Sequence, residues 1–125
     1  MAVQPDGATF VQICGYADVP DSTKPGELNV HFPFAPTGDY WQYWVLDTDY
    51  DNYTSVYSCR DIPRIGKFEF TWILVRNPEK LTSEIKDRAL ETFISRGIEI
   101  NSFVETSQEN CAYEDPSGAP LCTSE

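Results

Sequence analysis

The chain has 125 residues and a formal net charge of −11, from 20 acidic and 9 basic side chains. That length is one domain, and 41% hydrophobic with 14% aromatic residues supplies one core, which excludes global disorder. The acidity repels phosphate backbones and anionic bilayers, so nucleic acid is excluded as a partner, and no apolar run reaches the roughly 20 residues of a membrane span.

The N-terminal MAVQPDG lacks the apolar stretch of a signal peptide. Residues 9–19 read as a first strand, closed by Pro20-Asp21-Ser22, and Pro25-Gly26 marks a turn. Residues 27–34 alternate cleanly: Leu28, Val30, Phe32 and Phe34 lie on one face, Asn29 and His31 on the other. After the turn at Pro36-Thr37-Gly38-Asp39, residues 40–49 and 53–61 form a hairpin about Asp51-Asn52. Pro63 to Gly66 breaks the chain. Residues 67–75 follow as a strand with Phe68, Phe70, Trp72 and Leu74 on one face.

Asn77-Pro78 ends that strand. Thr82 or Ser83 caps a helix that runs to about Arg96, with Glu84 in its first turn and Gly97 just past its end. Ile85, Ala89 and Phe93 form its apolar stripe, flanked by Leu90 and Ile94. Residues 98–105 read as a short last strand. The tail, 109–125, is polar and loosely ordered by composition, and residues 1–125 form a single domain. Successive strands on short connections, then one late helix, predict an all-β antiparallel up-and-down barrel with one C-terminal helix.

Two segments, YWVLDTDYDNYTSVYSC at 43–59 and FTWILVRNP at 70–78, carry a family likeness. The chain resembles the lipocalins, and within them the apolipoprotein D-like branch with its bilin- and carotenoid-binding members. Thr48-Asp49-Tyr50 matches the second family signature and Arg76 the basic residue of the third. The resemblance implies a secreted carrier built as a calyx barrel of about eight strands, wide enough for one small ligand. It implies a hydrophobic ligand (a bilin, carotenoid, retinoid, steroid or fatty acid), no required cofactor, and no catalysis. The family begins with a strand carrying Gly-x-Trp, which is absent here. The expected barrel is therefore N-terminally truncated, starting near the fourth strand, with Arg76 deprived of its Trp partner.

Phe32, Trp44 and Trp72 fall at positions that the resemblance assigns to the pocket lining, and simple alternation puts each on the apolar face of its strand. Val30, Leu46 and Phe70 share those faces and complete the candidate ligand-binding set, with Leu28 and Leu74 as core beside them. Thr48, Asp49, Tyr50 and Arg76 are expected to hold the fold. Cys14, Cys59, Cys111 and Cys122 lack metal-ligand spacing and are disulfide candidates. Cys111 with Cys122 closes a short loop, Cys14 with Cys59 is the alternative, and the connectivity stays open. In relatives the partners of the cysteines matching Cys59 and Cys111 lie N-terminal to this segment. Asn52-Tyr53-Thr54 is a glycosylation sequon. His31 is the only histidine, its parity is outward, and no zinc or acid–base pair follows from it. Cys14 has no neighbour to activate it as a nucleophile. Two functions compete: a carrier of a small hydrophobic molecule, and an interaction subunit that completes its sheet with a partner chain or a second copy through exposed edges.

Overall fold

The computed structural model describes residues 14–33 and 38–109, together with the backbone of two short strands, β1 (Ala2–Val3) and β2 (Phe10–Val11). These two pair antiparallel with each other in a separate sheet. The main sheet has five strands in chain order, β3 (Tyr16–Asp18), β4 (Glu27–His31), β5 (Trp41–Thr48), β6 (Tyr53–Ile62) and β7 (Gly66–Val75). Every neighbouring pair is antiparallel, which is the up-and-down meander that short connections dictate. Among the described residues β3 and β7 form the two edges, and the sheet does not close on itself.

The single first strand expected over 9–19 is two elements. Just before the second of them, an added Cβ at Gly15 would stand 2.6 Å from the His31 carbonyl oxygen and 2.9 Å from the Phe32 ring. The backbone makes its close approach to β4 there, and only β3 joins the main sheet.

Cross-strand register sorts the side chains into two faces. Val56 of β6 stands opposite Val45 of β5 and Trp72 of β7, and Val30 of β4 stands opposite Trp41. Leu28 and Tyr43 share that face, as do Arg60 and Phe68. The opposite face carries Tyr53, Ser55 and Tyr57 of β6. Between Val45 and Asp47 the pairing slips by one residue, a bulge with Leu46 as the insertion. Beyond it Asp47 stands opposite Ser55, and Thr48 opposite Thr54.

Helix α1 (Ser83–Ile94) lies on the face of Ser55. Thr82 caps it by accepting the Ile85 N–H at 3.2 Å. At its end Gly97 has φ +72°, and the N–H groups of Gly97 and Ile98 donate to the carbonyls of Ile94 and Phe93. This is the paired bonding of a Schellman end, which a glycine enters without a Cβ clash. The helix buries Ala89, Thr92 and Phe93 against β5 and β6, where Tyr53 and Ser55 are also buried, while Val56 and Ser58 are buried on the opposite face of β6. Ser55 Oγ donates to the Ala89 carbonyl, the Tyr53 hydroxyl donates to Asp47 Oδ2 at 2.7 Å, and Arg96 Nη2 donates to the Leu46 carbonyl at 3.3 Å.

The strand expected over 98–105 does not form. The chain turns at Asn101-Ser102, with the Phe103 N–H donating to the Ile100 carbonyl. Phe103 instead packs on Phe93, ring centroids 5.2 Å apart, so this segment covers the helix rather than extending the sheet. The tail from residue 110 lies outside the described residues.

Candidate functional site

The face turned away from α1 is lined by large apolar side chains with little over them. Phe68, Phe70, Trp72 and Leu74 are 45%, 39%, 41% and 48% exposed, in an unbroken row along β7. Phe70 stacks between Phe68 and Trp72, at centroid separations of 6.5 and 5.9 Å. Trp41 meets Phe70 edge-on at 6.0 Å, and Tyr43 stacks with Trp72 at 6.4 Å. Half-buried Leu28, Val30 and Val45 and buried Val56 continue the surface across β4, β5 and β6. A contiguous exposed apolar patch of this kind marks a binding surface more often than chance.

One charged side chain stands on this face among its paired, described residues: Arg60, opposite Phe68. Its guanidinium carbon lies 4.7 Å from the Trp41 ring centroid, and its Nη2 donates to Asp39 Oδ2 at 2.8 Å. The bond from Arg60 holds the Asp39 carboxyl below the ordinary carboxylate range, against the opposing effect of burial.

At the other end of the sheet the two signature segments meet. Thr48 Oγ1 donates to the Tyr53 carbonyl at 2.7 Å and accepts the Tyr50 N–H at 3.0 Å. Asp49 Oδ1 accepts from the N–H groups of Asp51, Asn52 and Tyr53, and its Oδ2 accepts from Asn52 Nδ2 at 2.7 Å. Burial raises the Asp49 pKa, but the bonds from Asn52, Tyr53 and Asp51 outweigh it and hold the value at about 2. Tyr50 takes φ +67°, which turns its carbonyl toward Arg76, whose Nε donates to it at 2.7 Å. Arg76, expected to lack a partner, thus clamps the hairpin turn to the end of β7. A cavity of about 450 Å³ opens beside this clamp, between Gly26, Val45, Thr48, Thr54, Leu74 and Arg76.

Of the candidate ligand-facing residues, Trp72, Phe70 and Val30 share the open face. Phe32 follows β4 beside Gly15 and is half-buried. Trp44 does not join them. It pairs with Tyr57 and tilts against its ring at 6.5 Å, on the face that carries α1. Leu46 is the bulge residue, outside the regular alternation. In β5 the side chains on the open face before the bulge are Trp41, Tyr43 and Val45. Each set of alternate residues in this strand carries large apolar side chains, Trp41, Tyr43 and Val45 in one and Trp44 and Leu46 in the other, so periodicity alone does not choose between them. Arg60 and Phe68 were also outside the expected set, although Phe68 belongs to the same alternation as Phe70 and Trp72.

Cys14 is disulfide-bonded and Cys59 is a free, half-buried thiol, so Cys14 does not pair with Cys59. Cys111 and Cys122 lie outside the described residues. The sequon amide of Asn52 donates to Asp49 Oδ2. His31 is not merely solvated: its Nε2 lies 2.7 Å from Asp18 Oδ1 and its ring stacks on Tyr16 at 4.5 Å, joining β3 to β4.

Residues 13–110 match the model of the lipocalin / cytosolic fatty-acid binding protein family. The chain is a lipocalin. It is 40% identical over 107 residues to apolipoprotein D of Macaca fascicularis, covering 82% of this chain and 53% of that protein. It is 37% identical over 86 residues to the Lazarillo protein of Schistocerca americana, covering 66% of this chain and 38% of that one. With purpurin of Gallus gallus it shares 36% identity over 75 residues, 54% of this chain and 37% of purpurin. This lipocalin chain spans about half the length of the apolipoprotein D relatives that it matches.

Proposed function

We propose that this lipocalin chain binds and carries a small hydrophobic molecule, without chemistry, on the aromatic face turned away from α1. The observation that carries the reading is the row of Phe68, Phe70, Trp72 and Leu74, each between a third and a half exposed among the described residues. Each of these side chains gains on the order of 1 kcal/mol or more when a ligand removes its remaining surface from water. Flat stacked rings suit a conjugated or ring-bearing ligand: a bilin, carotenoid, retinoid or steroid, with fatty acids as the extended alternative. Secretion fits the same role, since a disulfide at Cys14 requires an oxidising compartment. Titration of the chain with retinol, biliverdin and a fluorescent fatty acid tests the reading. Saturable tryptophan quenching by at least one of them supports it, and the absence of saturation with all of them removes it.

A second reading is favoured by the edge of β7. This ten-residue strand pairs only with β6 among the described residues, leaving a long ladder free on its other side. Such an edge accepts a strand from another polypeptide or a second copy, which would then supply the opposite wall over the aromatic face. Light scattering over a dilution series tests it: dissociation on dilution supports a self-paired edge, and a concentration-independent monomer argues for the lone carrier.

A further inference from the structure

We infer that the hydrophobic ligand ends in a carboxylate, and that Arg60 receives it. The inference rests on the binding reading above and specifies the ligand's chemistry. Among the paired, described residues of this face Arg60 is the one charged side chain, directly across from Phe68. A guanidinium on such a surface is costly unless something uses it, because a ligand that covers the aromatic row also strips water from the cation.

Its present partner uses only part of it. Asp39 comes from the segment before β5 and takes one hydrogen bond, from Nη2. A guanidinium has five N–H donors, and among the described residues Nε and Nη1 of Arg60 donate to no acceptor. Asp39 and the Trp41 ring therefore orient the group from two sides, at 2.8 and 4.7 Å, and leave donors available. A planar, pre-oriented guanidinium with free N–H groups is the geometry that takes a carboxylate through two parallel bonds. The ion pair remains one-third exposed on both side chains, so an incoming anion can reach it.

The rest of the face fixes the remainder of the molecule. From Arg60 the apolar surface runs through Phe68, Trp41 and Phe70 to Trp72 and Tyr43. A ligand with an acid at one end and a long conjugated or aliphatic body matches that order. A neutral alcohol or hydrocarbon of the same body covers the row equally well but leaves the desolvated guanidinium with Asp39 alone. The chain's charge of −11 works against any anion at long range, so the preference is local to Arg60 and is not a product of overall attraction.

The test compares retinoic acid with retinol, which share one hydrocarbon body, by equilibrium titration of the full chain and of Arg60→Gln, Arg60→Lys and Asp39→Asn. The expected result is that the wild-type chain binds the acid about tenfold more tightly than the alcohol or better. Arg60→Gln erases that preference by weakening the acid alone, Arg60→Lys restores part of it, and Asp39→Asn keeps or enlarges it. Equal binding of acid and alcohol by the wild-type chain overturns the inference while leaving the carrier reading intact. So does a preference that survives in Arg60→Gln. Failure of both ligands to bind overturns the carrier reading and this inference together.

Discussion

Ser55 Oγ, on β6, donates to the Ala89 carbonyl of α1 at 3.0 Å, and neither residue has any exposed surface. This contact fixes which face of the sheet the helix covers. Ser55 alternates with Val56, so docking the helix on Ser55 leaves Val56 and its neighbours Val45 and Trp72 on the uncovered side. Ser55→Ala removes the bond at little change in volume and should cost about 1 kcal/mol. Ser55→Leu overfills the same space and should cost about 1–3 kcal/mol, with looser helix packing. Urea unfolding measures both, and ligand affinity should change little in Ser55→Ala.

The two faces of the sheet give opposite expectations for Trp72 of β7 and Trp44 of β5. Phe70→Ala and Trp72→Ala remove surface from the open face and should each weaken a bound hydrophobic ligand about tenfold. Trp44→Phe changes a residue that packs on Tyr57 across the sheet, and affinity should stay within about twofold. Isothermal titration with one ligand across the three variants reads the difference.

Asp49 makes the hairpin turn sensitive to acid in a defined window. Its folded pKa lies near about 2, below the ordinary 3.8, so its contribution to stability is present above about pH 4 and is lost as the pH falls through about 2. Asp49→Asn should be less stable than the wild-type chain at pH 7, with the gap closing as the pH approaches about 2. Denaturant midpoints at a series of pH values measure the convergence.

Thr82 is the first cap of α1, and Thr82→Ala should cost about 1 kcal/mol through the unpaired Ile85 N–H. The loss appears as a lower denaturant midpoint with an unchanged slope. Because α1 lies on the far face, the hydrophobic ligand should still bind to whatever fraction is folded.

Much of this arrangement is legible in the residues. The hairpin about Asp51-Asn52, the alternation of Phe68, Phe70, Trp72 and Leu74, and the Thr82 cap each carry a local signal that the fold obeys. The Thr48-Asp49-Tyr50 and Arg76 likeness also points to the lipocalin family that the comparisons show. What was not legible depends on tertiary context. The face of Trp44 is decided by the register of β5 against β6 and by the bulge at Leu46, neither of which leaves a mark in a strand with large apolar residues at both sets of alternate positions. The absent strand at 98–105 has strand-like residues, but there Phe103 packs on Phe93 of the helix instead of joining the sheet. Arg60 reads as an ordinary strand charge until its cross-strand partner Phe68 shows that it sits on the apolar face. The clamp from Arg76 to the Tyr50 carbonyl goes with the positive φ of Tyr50, which the triplet Thr48-Asp49-Tyr50 does not announce.

The most direct test of the account is to map the ligand on the isotopically labelled chain by NMR while titrating retinoic acid. The account predicts saturable shifts in the side chains of Val30, Trp41, Val45, Phe70 and Trp72, with those of Ala89 and Phe93 unmoved. Shifts concentrated on α1 and Tyr57, or none that saturate, would contradict it.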